Sequence, residues 1–596
     1  MYRHSFFVLF LSLIRLLHAS PVPGVAQLMS LPNDPQRHPG RPRFPATNTG
    51  CTNNPTNRQC WGNGFDIDTD VETSWPNTRQ VKRYNLEIQN KTLSPDGTPR
   101  VVYAVNGQFP GPTIRCNWGD TLQITVKNSL QVNGTSIHWH GIRQWQSNPM
   151  DGTHGITECP LAPGQSRTYT FLATQYGTTW YHSHHSSQYG DGTWGTIVID
   201  GPTSANYDED LGVMPVQDWF YQTTNQIMSR LAVGQIRGQP VGNNILINGT
   251  NVNAQGAGKY HNNTIEKGKC YKLRLLNTAI GDTYQVGLDG HNMTVVATDL
   301  VPVVPYNTTW LTIGIGQRYD VIICANQPVS SYWFHVVPQA SCSSNSVPNA
   351  VSIFTYKGSN STLPTAGRNN APPSNSCVDN NADLVPWVSL NVPSNEAIPQ
   401  SSRLDVGFAV IQNSTSGAST QIQWTLNGTA IVADWADPTL EYVKTGNTSY
   451  PKSMNLIALP DRNVWSFWVI QATNVTAPPQ AHPMHLHGHN FYVLGAGAGV
   501  YDNSQTLNYI NPTRRDVAML PPLGYLVLAF KTDNPGAWLM HCHVAWHQGL
   551  GFGAQFLETS QSARLLVDQT PAFQQQCNSW DSYDNVALYP EEGSGI

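Results

Sequence analysis

Four His-x-His pairs, set out twice in the same order, constrain this chain more than any other feature. His138-Trp139-His140-Gly141 is followed by a segment running from Gly177 through Trp180 to His182-Ser183-His184. His485-Leu486-His487-Gly488 is followed by one running from Gly536 through Trp538 to His541-Cys542-His543. In both blocks the first histidine of the second pair lies five residues after the leading glycine. Side chains at i and i+2 of a β-strand share a face, so each pair can aim two imidazoles at one place. A single pair of this kind is an ordinary solvated strand face. Four in matched order indicate two copies of one domain type, each contributing to a site.

The surrounding sequence reads as strands and turns. Arg100 to Val105, Thr121 to Val126, Ser136 to Trp139, Arg167 to Ala173 and Thr193 to Ile199 are β-branched or aromatic runs bounded by Gly, Pro, Asn and Asp. Long helical periodicity is scarce, which favours sandwich or Greek-key domains. Residues 203–365 also carry strand runs (Lys272 to Leu276, Met293 to Ala297, Val321 to Cys324), but His261, His291 and His335 there are unpaired. The expectation is an all-β chain of three domains, 51–202, 203–365 and 401–596, with the outer two holding the chemistry. An Asn-, Ser- and Pro-rich stretch over 366–400 reads as the linker into the third.

Composition sets the compartment and excludes partners. Only 12% of residues are charged, against about 25% in ordinary soluble domains. The net charge of -5 leaves no basic stripe for nucleic acid or an anionic membrane surface. Arg3 and His4 precede the apolar run Phe6 to Leu17, and Ala19 and Ser20 follow it, which predicts a signal peptide over 1–20 and a secreted protein. That run is too short to span a membrane, and no other stretch of about 18 apolar residues exists. Residues 21–50 read as a pro-segment or disordered leader. Sequons at Asn90, Asn133, Asn248, Asn262, Asn292, Asn307, Asn360, Asn413, Asn427, Asn447 and Asn474 fit a glycosylated surface.

Imidazoles suit Cu, Zn, Fe or Ni alike, so the histidines alone do not choose the metal. Cys542 does: it lies between His541 and His543, with His547 five residues on and His482 three before His485. A thiolate with two imidazoles, Cys542 with His482 and His547, is the donor set of a blue-copper electron-transfer site. Tetrahedral zinc usually shows clustered Cys/His pairs that are absent here, and a disulfide for Cys542 is disfavoured by the ligands on either side. His541 and His543, adjacent to Cys542 in the chain, face the other side of the strand, giving electrons a short through-bond route to further metals. Dioxygen reduction to water takes four electrons, which one intake copper plus a three-copper cluster can supply.

The segments HWHG (138–141), GTTWYHSHHSSQYGDGTWG (177–195), HPMHLHGH (482–489) and HCHVAWH (541–547) resemble the four copper motifs of multicopper oxidases, and more narrowly of ascomycete-type laccases. DGTHGITECP (151–160), ILINGT (245–250), GQRYDV (316–321), TGNTSYP (445–451), RRDVAMLP (514–521) and TDNPGAW (532–538) extend the likeness over most of the chain. The resemblance implies three cupredoxin-like domains and four copper ions: type 1 at His482, Cys542 and His547; type 2 at His138 and His485; and a type 3 pair at His140, His182, His184, His487, His541 and His543. It places Phe552, which cannot coordinate, at the axial type 1 position, so the potential should be raised. It implies proton delivery by Asp151 and a phenol pocket lined by Trp546, Trp424 and His547. The family's substrate carboxylate aligns on Gly281, with Asp282 one residue later as its candidate replacement. The family's tail, implied to plug the channel to the cluster, corresponds here to Gly593-Ser594-Gly595-Ile596, which lacks the carboxyl side chain.

Removing Cys542 from ten cysteines leaves nine. The resemblance implies bridges Cys51 with Cys60, Cys159 with Cys577 and Cys342 with Cys377. Cys270 and Cys324, both on strands of the middle domain, are expected to form a fourth, leaving Cys116 a buried free thiol. The expected function is oxidation of phenols and related aromatics, such as melanin precursors, lignin fragments or plant phenolics, coupled to dioxygen reduction by a secreted monomer. A ferroxidase or bilirubin-oxidase-like enzyme is the alternative, and a non-catalytic copper-binding protein a third reading.

Overall fold

The structure is a computed structural model that describes residues 51–586, apart from 237, 369, 395–396, 413–419 and 474–477, together with Ser594 and Gly595. The expected signal peptide (1–20) and leader (21–50), the sequons at Asn413 and Asn474, and Gly593 and Ile596 lie outside the described residues.

Apart from a two-stranded hairpin at Cys60–Gly62 and Phe65–Asp66, the strands fall into three pairs of sheets, and these are cupredoxin-like β-sandwiches. In the first, Arg100–Val105, Val81–Leu93, Thr121–Asn128 and Ser166–Leu172 form one sheet; Gly111–Asn117, Trp194–Asp200, Gly177–Ser183 and Ile137–His140 form the other. Leu86, Ile88, Leu122, Ile124, Trp139, Tyr169, Tyr181 and Ile197 fill the space between them. The second sandwich sets a six-stranded sheet containing Cys270–Asn277 and Arg318–Cys324 with a five-stranded one containing Ser331–Pro338. The third pairs a six-stranded sheet around Gly524–Lys531 with a five-stranded sheet in the order Leu456–Leu459, Gly553–Glu558, Gly536–Cys542, His482–Leu486, Val517–Leu520.

Burial separates ordinary strands from the ones that matter. Thr121–Asn128 and Ser166–Leu172 largely alternate between buried and more exposed positions, as strands with one solvated face do. Ile137–His140, Gly177–Ser183, His482–Leu486 and Gly536–Cys542 are buried at every residue. Both faces of these four strands are covered, so each can serve two buried environments at once.

The stretch 366–400 contains no long strand or helix among its described residues, yet it is pinned to the body. Leu384, Leu390, Val392 and Ile398 are buried, and Asp379 accepts from the Met519 N–H at 2.8 Å and from the Gln317 amide at 2.8 Å. At the C-terminal end, where β-patterning fades, helices Ser560–Asp568 and Ala572–Asp584 form instead. The second packs Phe573, Cys577 and Trp580 against Ile156, Cys159 and Trp435.

Four disulfides join Cys51 to Cys60, Cys159 to Cys577, Cys270 to Cys324 and Cys342 to Cys377, while Cys116 and Cys542 are buried free thiols. Cys270 and Cys324 are direct cross-strand partners. Peptide mapping of the unreduced protein should recover these four linked pairs with Cys116 unpaired. A linked peptide containing Cys116 would overturn the pairing. Replacing Cys159 and Cys577 together by Ser should cost on the order of 2–4 kcal/mol, read as a lower thermal unfolding midpoint.

Candidate metal centre

Strand pairing places Cys542 opposite Met484 and His541 opposite His485. Cross-strand partners share a face and neighbours alternate, so Cys542, Met484 and His482 point to one side, and His541 and His485 to the other. On the Cys542 side, Sγ lies 3.7 Å from His482 Nδ1 and 3.5 Å from His547 Nδ1. His547 reaches it from the short helix Ala545–Gln548. The Phe552 ring lies 5.0 Å from that of His482, and Trp424 lies 4.5 Å from His547 and stacks on Phe552 at 5.6 Å. Burial pushes the Cys542 thiol up, the His482 imidazole down to about 3 and His547 well below its ordinary range. Both imidazoles are therefore neutral and free to coordinate, and a thiolate in so apolar a setting needs a cation beside it.

Eight more imidazoles meet between the first and third sandwiches. His138 pairs across strands with His182 just as His485 pairs with His541, so the two blocks of sequence adopt one register. They stack on each other crosswise, His138 on His487 and His140 on His485, each with ring centres 3.9 Å apart. His140, His182 and His543 form one trio, with ring centres 5.0 to 5.6 Å apart. His184, His487 and His541 form a second, 5.2 to 5.4 Å apart. His138 and His485 remain, 5.8 Å apart.

The hydrogen bonds test whether this cluster suits a metal. His138 Nδ1 is held by the Asp151 carbonyl at 2.9 Å, His182 Nδ1 by the Ser183 carbonyl at 3.0 Å, His485 Nδ1 by the Asp516 carbonyl at 2.7 Å and His541 Nδ1 by the Cys542 carbonyl at 3.0 Å. The other nitrogen of His138, His182 and His485 is buried without a partner. His487 Nδ1 donates to Asp151 Oδ2 at 2.9 Å, which leaves His487 Nε2 facing His541 Nε2 at 3.3 Å, lone pair against lone pair. One nitrogen fixed by an acceptor and the other bare and turned inward is the arrangement of metal-bound histidines. A cation between the bare nitrogens removes the repulsion, so the residues fit a metal cluster.

Two carboxylates order the site. Asp151, wholly buried, touches His487 and accepts from Thr153 Oγ1 at 2.8 Å. Burial alone would raise its pKa, but His138 and His487 outweigh that and hold it below the ordinary carboxylate range. Asp516, which sequence reasoning missed, accepts from His140 Nε2 at 3.1 Å and takes both arms of Arg318 at 2.6 Å. Arg318 comes from the middle sandwich, so this pair locks all three together. The pair's traces in the sequence were the GQRYDV and RRDVAMLP segments. The glycine of the first HxHG motif now has a reason: a Cβ at Gly141, whose φ is +73°, would lie 2.5 Å from both Arg318 and Asp516.

On the outer side of Cys542 the outcome is mixed. Trp424 and Trp546 are buried at 2% and 1% exposure, with Trp424 against His547. Asp282, the candidate replacement for the substrate carboxylate, is buried, and its oxygens are taken by the Ser344 N–H at 2.8 Å and the Asn345 amide at 2.9 Å. From the tail, the Gly595 carbonyl accepts from Trp435 Nε1 at 2.7 Å and from His154 Nε2, and the Ser594 hydroxyl donates to the Gln548 carbonyl at 2.7 Å. The tail holds its place through backbone and hydroxyl groups.

Family profiles described as multicopper oxidase match residues 87–204, 210–359 and 409–562. The chain is 43% identical to a laccase of Neurospora crassa over 98% of this chain and 95% of that protein. It is 50% identical to laccase-3 of Botryotinia fuckeliana over 75% of this chain and all of that protein. The chain belongs to the multicopper oxidase family. It is a laccase-type oxidoreductase within it, and copper is its cofactor. Among solved structures, the laccase from Botrytis aclada superposes with a TM-score of 0.85 at 40% identity, covering 92% of this chain and 100% of that one. The multicopper oxidase Fet3p, which functions in iron import, superposes at 0.74 with 25% identity, covering 84% of this chain and 95% of its own. For a multicopper oxidase the Asp516 contact predicts an effect on metal retention: Asp516→Ala should weaken copper binding on the order of 10- to 100-fold in equilibrium dialysis. Unchanged retention would remove Asp516 from the support of His140.

Proposed function

We propose that this multicopper oxidase is a secreted, monomeric laccase of three domains, 51–202, 203–365 and 401–596, the outer two holding the copper, that oxidises phenols and related aromatics with dioxygen as acceptor. His482, Cys542 and His547 would hold the type 1 copper, and His138 and His485 the type 2. His140, His182 and His543 would hold one type 3 ion, and His184, His487 and His541 the other. The bound coppers supply one-electron chemistry, by which four electrons taken singly from donors reduce one dioxygen to two waters.

The observation that carries this reading is the alternation at Cys542. Its side chain joins the outer trio, while the residues bonded to it on either side, His541 and His543, belong to the two inner trios. Electrons therefore need cross only a few covalent bonds between the two centres. Phe552 contributes no donor atom to the outer trio, which supports a raised potential. Asp151 supports the inner centre: its carboxylate orients His487 and lies within the cluster, beside the rings that proton delivery would serve. Buried apolar and aromatic residues, Trp180 and Tyr189 among them, line the rings and restrict water.

Cys542→Ser should abolish the blue absorption and phenol turnover while leaving the fold intact by circular dichroism. The unaltered enzyme should consume four equivalents of a one-electron phenolic donor per dioxygen and prefer phenols to ferrous iron or bilirubin. Full activity in the Ser variant would refute the assignment, and a preference for ferrous iron would favour a metal oxidase.

A further inference from the structure

The Nε2 edge of His547 is already occupied. The side-chain amide of Gln480 lies 2.9 Å from it, while His547 Nδ1 faces inward to Cys542 and His482. An imidazole that gives Nδ1 to a metal carries its hydrogen on Nε2. The end of the Gln480 amide that meets it is then the carboxamide oxygen, since the amide's two ends are assigned by their partners. His547 is only 5% exposed and Gln480 half-buried, following the exposed Pro478 and Pro479. The Gln480 N–H closes back on the Pro478 carbonyl at 2.9 Å, which sets the backbone from which the side chain reaches the ring.

The acids beside Gly281 already have partners: Asp218 accepts from the Ile280 and Gly281 N–H groups at 2.8 Å and Asp282 from Ser344 and Asn345, while the Gln239 amide donates to the Gly281 carbonyl at 2.6 Å. A Cβ at Gly281 would come within 2.8 Å of Gln239 Nε2 and 3.1 Å of Trp546 Nε1, so an amide stands where a carboxylate side chain would otherwise project.

We propose that Gln480 is a specificity-determining residue of the donor site. Its carboxamide oxygen accepts the His547 Nε2–H in the resting enzyme, and a hydroxyl-bearing aromatic donor binds by displacing it. The tethered amide thus competes with phenol oxygens for one hydrogen bond, and donors that need no such bond do not sense it. This rests on the reading of His547 as the ligand that meets the donor.

Gln480→Ala should lower KM for a simple phenol about fivefold, the worth of one ordinary hydrogen bond, and leave KM for hexacyanoferrate(II), which has no hydroxyl, unchanged. Removing an acceptor from the ring lowers its basicity, so the reduction potential of the blue site, read by anaerobic redox titration, should rise with the blue band retained. Gln480→Glu, a stronger acceptor of similar size, should do the reverse, raising the phenol KM and lowering the potential. An unmoved potential and phenol KM in both variants would show that Gln480 does not hold the His547 edge. A shifted potential with an unmoved phenol KM would place donor binding elsewhere and overturn the proposal. Neither result bears on whether the chain is a laccase, which Cys542→Ser decides.

Discussion

The structure depends on taking eight imidazoles out of water and fixing six of them, His138, His140, His182, His485, His487 and His541, by one nitrogen. Burial lowers the pKa of His140, His182, His184, His485 and His541 well below the ordinary range, so these five are neutral. Backbone carbonyls and two carboxylates take the outward N–H groups, leaving the inward nitrogens bare. Unsatisfied buried polar atoms are costly, and several of them, on His138, His182, His184, His485 and His543, meet in this cluster. The cost is offset when cations sit between them, which couples the close approach of the first and third sandwiches to metal binding.

Strand geometry makes this possible with few residues. On strands covered on both faces, alternate positions serve different environments, so one strand can hand Cys542 to one centre and His541 to another. The middle sandwich has no paired histidines, yet it supplies Arg318 to Asp516 and, through Asp299, accepts from Arg515 at 3.3 Å. Its contribution is to brace the third sandwich against the first at the seam where the imidazoles meet.

The donor side follows a different logic. Outside the outer trio, the contacts of His547 include the rings of Trp424 and Phe552 and the Gln480 amide, while Asp282 is hydrogen-bonded to Ser344 and Asn345. In the proposal for Gln480, selection falls to competition for a single ring N–H. The potential is left to the donor-free side formed by Phe552.

The sequence by itself determined the ligand types and their faces, because a spacing of two residues on a strand has only one geometric reading. It determined the two-copy organisation, and Cys542 singled out the metal chemistry. Tertiary structure decided which histidines share a trio, since that depends on crosswise stacking between strands more than 300 residues apart. It decided that Asp516 and Arg318 belong to the site, because a charged pair from two sandwiches leaves no local pattern. It also decided the partners of Asp282, for hydrogen bonds to Ser344 and Asn345, 62 and 63 residues on, leave no local pattern.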